Sequence, residues 1–220
     1  MASMNITKFR DLRFRSSLEN NTRGYHLTCK TPIIEKNWEN VLMSSLKALN
    51  EPIVYVANTH ESGRDCTVGN IPLSLKTCKM TKKTIELSSY RLTGCGGDIT
   101  RIDEEIKRRD TSFRYMFVCS RSVRNNIIHY YMYVIPRTFF DREFRWSTFY
   151  KKNGTMAGWC TDTIDGMSFR VIRCMSDQLW MSIDIDAISG FLVHDFTINP
   201  QKTPLISYEY IQNMFTHFNK

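Results

Sequence analysis

After Thr31-Pro32, apolar residues recur at helical spacing: Ile34, Trp38, Val41, Leu42, Leu46 and Leu49 form one stripe, with Ser45 set within it. Asn50 and Pro52 end the pattern, which predicts an amphipathic helix over this stretch. Ile53-Val54-Tyr55-Val56 reads as a short buried strand, and Cys66-Thr67-Val68, Gly69-Asn70 and Ile71-Pro72-Leu73-Ser74-Leu75-Lys76 read as a tight hairpin. Period-two alternation sends Leu73 and Leu75 to a buried face and Ser74 and Lys76 to the other. Glu86 to Leu92 is extended. Gly94-Cys95-Gly96-Gly97 then turns the chain into a helix expected to open at Thr100, with Thr100-Arg101-Ile102-Asp103 as a capping box and Ile99, Ile102 and Ile106 as its apolar face.

From Phe113 the pattern becomes β-rich. Tyr115–Cys119 and Ile127–Ile135 flank a turn at Arg124-Asn125-Asn126, and further strands are expected near 144–150, 155–160, 168–174 and 179–185. Tyr208, Ile211, Met214, Phe215 and Phe218 share one helical face near the end of the chain. Residues 1–30 mix Arg10, Arg13, Arg15 and Arg23 with Asn, Ser and Thr and show no clear apolar period, which predicts an ordered arm or partly mobile leader. The class is α/β in the mixed α+β sense, with a central sheet flanked by helices and a second group of strands in the C-terminal half.

Composition narrows the picture. The 220 residues are 42% hydrophobic and 24% charged, which suits one well-buried core and excludes disordered and fibrous classes. No apolar run approaches the ~20 residues that span a bilayer, and the basic start MASMNITKFRDLRFR has no apolar signal stretch, so an intracellular protein without a membrane role is expected. Seven cysteines stand singly, with no C-x-x-C pair and no zinc spacing, which predicts reduced thiols. The N-x-[ST] matches at Asn5, Asn20 and Asn153 are accordingly chance. A net charge of +8 and a pI near 9.2 fit a polyanionic partner such as nucleic acid, although charge alone fits a plain basic surface equally well.

Metal-assisted phosphodiester hydrolysis needs carboxylates that hold Mg²⁺ beside the phosphate and a cation that places the attacking water. A hairpin supplies these economically. Asp65 opens one strand, and Ser74 and Lys76 project two apart from its partner. His60-Glu61-Ser62-Gly63-Arg64-Asp65 followed by Pro72-Leu73-Ser74-Leu75-Lys76-Thr77 resembles the motif of the PD-(D/E)xK nuclease superfamily. The resemblance covers chiefly residues 35–92, and Ile85-Glu86-Leu87-Ser88-Ser89-Tyr90-Arg91-Leu92 is similar to a segment that follows the catalytic strand in restriction-type endonucleases.

The resemblance implies that Asp65 is the metal-bridging carboxylate, that the Leu75 carbonyl completes the metal site, and that Lys76 positions the water. Ser74 stands where the family has Asp or Glu, so Glu61, or second to it Glu39 on the preceding helix, is expected to supply the other carboxylate. It further implies a type II restriction endonuclease that uses Mg²⁺, cuts double-stranded DNA as a homodimer, is bacterial or virus-encoded, and has a cognate DNA methyltransferase as genetic partner. The organisation expected is one nuclease domain, 1–220, with an N-terminal arm (1–30), a catalytic core (31–110) and β-rich recognition and closing elements (111–220). Alternatives are a repair or structure-selective nuclease on the same core, and a non-catalytic basic DNA-binding protein.

Ser88, Ser89 and Arg91 are candidates for phosphate contact, and the loops holding Arg121, Arg124, Asn125 and Asn126, and Lys151, Lys152 and Asn153, for reading DNA. Asp184 and Asp186 form a competing carboxylate pair if both lie on one strand, though no Lys or Glu follows at the right spacing. The Gly94–Asp98 turn lacks the Lys-Ser/Thr ending of a P-loop, and His60, His129, His194 and His217 are isolated.

Overall fold

Phe14, Leu18, Thr22 and His26 recur every fourth residue and all are buried, so the N-terminal stretch expected to be an arm is a helix, α1 (Leu12–Thr28). Its stripe is half polar, which hides the period in the sequence. The Thr22 hydroxyl donates to the Leu18 carbonyl at 2.8 Å, and the His26 ring bonds the Tyr130 hydroxyl at 2.9 Å and the Cys29 carbonyl at 2.8 Å. Phe14 and Leu18 are fully buried, worth about 1.5–3 kcal/mol each. Asp11 caps the helix by accepting the N–H groups of Arg13 and Phe14.

A computed structural model of the chain describes residues 6–55, 63–81 and 83–202. The expected helix after Pro32 is α2 (Glu35–Leu46), which continues as one 3₁₀ turn to Leu49 and stops at Asn50 in the left-handed region, φ 54°. Strands β1 (Ile53–Tyr55), β2 (Cys66–Val68), β3 (Ile71–Lys79) and β4 (Thr84–Arg91) follow, then α3 (Ile99–Asp110). The cap of α3 is Asp98, which accepts from Thr100 and Arg101 N–H, and not the Thr100 box; a carboxylate placed before the first turn reaches those donors directly. The β-rich half comprises β5 (Tyr115–Arg124), β6 (Ile127–Pro136), β7 (Trp146–Tyr150), β8 (Met156–Thr161), β9 (Met167–Ile172), β10 (Gln178–Asp184), the single turn α4 (Ile185–Ile188) and β11 (Leu192–Ile198).

The class is mixed α+β. One sheet has the order β1-β2-β3-β5-β6-β11, antiparallel except for the parallel β3/β5 pair; the other, β4-β10-β9-β8-β7, is antiparallel throughout. The parallel pair needs a crossover, which β4 and α3 provide. Both faces of the first sheet are covered. Leu73, Leu75, Phe117 and Tyr130 pack with Phe9, Phe14, Leu18 and Trp38 under α1 and α2, while Met116, Val118, Tyr133 and Ile135 pack with Leu87, Met181 and Ile183 of the second sheet and with Ile102 and Ile106 of α3. Double burial explains why β5 reads as a continuous apolar run, Met116 to Cys119.

β11 closes the first sheet and had no expected counterpart. Asp184 ends β10 while Asp186 lies in α4, so these carboxylates do not alternate on one strand. The helix expected over Tyr208–Phe218 lies outside the described residues. All seven cysteines are free thiols, and no described helix is long and apolar enough to cross a membrane.

Candidate active site

The β2–β3 hairpin ends its ladder at Cys66↔Leu73, and Asp65 carries the contact one step further. Its N–H donates to the Leu73 carbonyl at 2.8 Å, while its Oδ2 accepts the Leu75 N–H at 2.6 Å and the Ser74 hydroxyl at 3.3 Å. The carboxylate thus continues the missing strand and satisfies a main-chain donor that β2 is too short to reach. A strand residue directs its N–H and C=O to the same edge, so the Leu75 carbonyl faces the flank that Asp65 occupies. Ser74 is fully buried; at this position a hydroxyl serves the Asp65 carboxylate instead of adding a second negative charge.

Lys76 is half-buried on the face of β3 opposite Leu75 and pairs in register with Val118. Burial pushes the carboxyl of Asp110, the last residue of α3, up to about 6, against the Tyr90 hydrogen bond, the Arg137 charge and, least of these, the Lys76 ammonium. The Tyr90 hydroxyl donates to Asp110 Oδ1 at 2.8 Å, and the Arg109 guanidinium lies 5.2 Å from the Tyr90 ring centroid. Burial, followed by the Asp110 charge, raises the Tyr90 phenol far above its ordinary value, and Asp65 adds to the shift. Tyr90 also abuts the segment leading to Asp65. A Cβ on Gly63 would sit 2.6 Å from the Tyr90 hydroxyl and 2.9 Å from the Arg109 carbonyl, so only glycine fits there.

Tyr90 reaches this place through an irregularity. Ile85 and Leu87 face inward, yet so do Tyr90 and Leu92, because the β4/β10 register slips between Trp180↔Ser88 and Gln178↔Arg91. One extra residue in β4 inverts the alternation and aims Tyr90 at α3.

Glu39 of α2 approaches from the β1 side, where the Tyr55 hydroxyl donates to its Oε2 at 3.0 Å. That bond is the main cause of the raised Tyr55 phenol, and the Asp65 charge contributes as well. Both carboxylates likewise act on the Cys66 thiol, which burial pushes up to about 12. Glu39 and Asp65 therefore share one neighbourhood, whereas Glu61 lies outside the described residues. Among the described residues no three or more His, Cys, Asp or Glu side chains gather as a metal site.

Most of the expected DNA contacts lie away from this centre. Arg124 begins a tight turn in which Asn125 and Asn126 have φ of 50° and 61°, about 20 Å along β5 from Val118. Arg121 donates to the Cys78 carbonyl at 3.1 Å. Lys151, Lys152 and Asn153 form the β7–β8 turn, roughly 20 Å across the second sheet from β4, with the Asn153 side chain accepting the Thr155 N–H at 3.1 Å. Ser88 and Ser89 sit within β4, and the buried Ser89 hydroxyl has no hydrogen-bond partner among the described residues. Arg91, at the end of β4, is exposed and adjoins Tyr90 in sequence.

Asp110 and Tyr90 are the members that the sequence reading lacked. One signal was present: a carboxylate in the last turn of a helix opposes the helix dipole, and here it follows Lys107-Arg108-Arg109, the residues that suit that end. No family model, curated protein or solved structure matches this chain.

Proposed function

We propose that this protein is a Mg²⁺-dependent endonuclease that hydrolyses phosphodiester bonds of double-stranded DNA, a type II restriction enzyme of the PD-(D/E)xK kind. The observation that carries the reading is the Asp65 carboxylate locked to the Leu75 N–H, which puts an acidic ligand, a main-chain carbonyl and Lys76 on one hairpin. The assignment extends to the fold, with the mixed sheet around β3 and its flanking helices as the nuclease core, and to a homodimer whose two sites cut the two strands, protected against by a cognate methyltransferase.

The donors fit a hard cation. Asp65 spends Oδ2 on two hydrogen bonds, and Glu39 and the Leu75 carbonyl would be the further oxygen ligands. Mg²⁺ commonly takes only one or two carboxylates and completes its shell with water and phosphate oxygens. When bound, it would offset the charge that builds on the phosphate as the bond breaks.

The chain's own side chains supply the rest. Lys76 donates hydrogen bonds to the attacking water and to a phosphate oxygen, holding the water in line. Hydrolysis joins the water oxygen to phosphorus and breaks one phosphorus–oxygen bond, and the departing sugar oxygen takes up a proton. Tyr90 holds Asp110 in place behind this centre.

Plasmid incubated with the protein and Mg²⁺ gives discrete fragments, which disappear with chelator and in Asp65→Ala. A smear would move the assignment to a nuclease without sequence preference. No cutting with any divalent metal, alongside salt-sensitive DNA binding, would replace the enzyme by a binding protein.

A further inference from the structure

A second, strongly basic feature lies behind Tyr90. Between the end of β4, the turn at Gly94–Cys95 and the face of α3 is a cleft of about 480 Å³. Helical spacing puts Arg101, Glu105, Arg108 and Arg109 on one wall, and Arg91 stands on the other. Glu105 fixes two of these cations: its carboxylate accepts from Arg108 Nε and Nη2 and from Arg109 Nε, each at 2.7 Å, and the Arg108 bond leads in driving its carboxyl down to about 2. Arg101 is steered by the Gly94 carbonyl at 3.3 Å. Four arginines against Glu104 and Glu105 leave the lining net positive.

The chemistry of these walls selects the ligand. Guanidinium groups held in a concave, partly enclosed site are suited to phosphate oxygens, which they meet with two parallel hydrogen bonds. Among the described residues the lining offers no aromatic ring and no Asn or Gln with which to stack or read a base. It is therefore matched to a charged backbone and not to a nucleoside. Arg109 belongs both to the cleft and to the Tyr90 contact beside Gly63, so Arg109 and Tyr90 link the cleft to the segment leading to Asp65.

We propose that this cleft anchors phosphates of a nucleic-acid backbone next to the one that is cut; its alignment with the cutting centre rests on the nuclease reading, while the binding itself does not. The test is fluorescence anisotropy of a labelled DNA duplex titrated with protein in chelator, at a series of salt concentrations. Arg91→Ser combined with Arg101→Ser weakens binding about tenfold or more and flattens the dependence of log affinity on log salt by about 2. Glu104→Gln removes a negative charge from the lining and tightens binding, an outcome that misfolding does not produce. Unchanged duplex affinity and salt slope in the double variant overturn the assignment. So does ATP binding that depends on Arg91 and Arg101 while duplex binding does not. Arg91-dependent duplex binding without cleavage sinks the nuclease reading and leaves the cleft standing; cleavage with unaltered binding in the double variant does the reverse.

Discussion

The Tyr90 hydroxyl donates to the Asp110 carboxylate at 2.8 Å, tying an inward-facing strand residue to the last residue of a helix beside Lys76. This pair joins β4 to α3 at the candidate active centre. It also makes Asp110 a buried acid whose charge opposes folding.

Asp110 titrates near 6 in the folded chain against an ordinary 3.8, mainly through burial. A raised carboxyl means that the folded state holds more protons within this window, so its contribution is complete below the unfolded value and is lost as pH rises through about 6. Asp110→Asn keeps an oxygen to accept from Tyr90 and removes the charge. Urea unfolding at about pH 7.5 is expected to show the variant more stable by on the order of 2 kcal/mol, with the gap closing towards about pH 4.5. A variant less stable than wild type at the higher pH would contradict the assignment.

Asp65 has a structural role separable from its charge. Asp65→Ala strands the buried Leu75 N–H and is expected to cost about 1–3 kcal/mol in urea unfolding as well as cleavage. Asp65→Asn keeps an acceptor, so it should unfold near the wild-type midpoint while losing Mg²⁺-dependent cleavage. Retained cleavage in the Asn variant removes Asp65 from the metal site.

Glu39→Gln is expected to raise the Mg²⁺ concentration for half-maximal cleavage by about tenfold, with little effect at saturating metal. If Glu61→Gln alone produces that shift, the second carboxylate is Glu61. If neither does, both have been misassigned.

Gly63 has no room for a side chain. Gly63→Ala must push the Asp65 segment away from Tyr90 and Arg109, and the cleavage rate is expected to fall about 100-fold. Circular dichroism and the urea midpoint should change much less; an unaltered rate would show that the segment tolerates displacement.

Under α1 the Tyr130 hydroxyl accepts the Ile33 N–H at 3.0 Å; the Cys29 carbonyl can only accept, so His26 Nδ1 donates to it, and in the neutral ring Nε2 accepts from the Tyr130 hydroxyl. Burial lowers the pKa of this ring; burial also leads in lowering His194, where Arg15 adds to the shift and Glu19 opposes it. Lowered histidines stabilise fully above about 6.5 and lose that contribution as pH falls, because the unfolded chain takes up the protons first. In the Asp110→Asn background, where the opposing carboxyl is gone, stability should decline as pH falls below about 6.5. Tyr130→Phe leaves two buried groups unpaired and is expected to cost about 2–4 kcal/mol by urea titration.

Local signals made parts of this molecule legible. The stripe through Trp38 and Leu42 and the alternation around Gly69-Asn70 depend on residues within a few positions of one another, so α2 and the hairpin bearing Asp65, Ser74 and Lys76 were expected as found. Helix α1 was not, because Thr22 and His26 belong to its buried stripe and His26 is satisfied by Tyr130, 104 positions away. The parallel β3/β5 pairing, the slip in β4 that turns Tyr90 inward, and the burial that makes Asp110 an unusual acid all come from elements distant in the chain. The sequence by itself determined which segments are amphipathic and where carboxylates and cations stand along the chain. Only the tertiary structure decided which of them share a site, since desolvation and charge proximity are set by what packs around a group, not by what adjoins it in the chain.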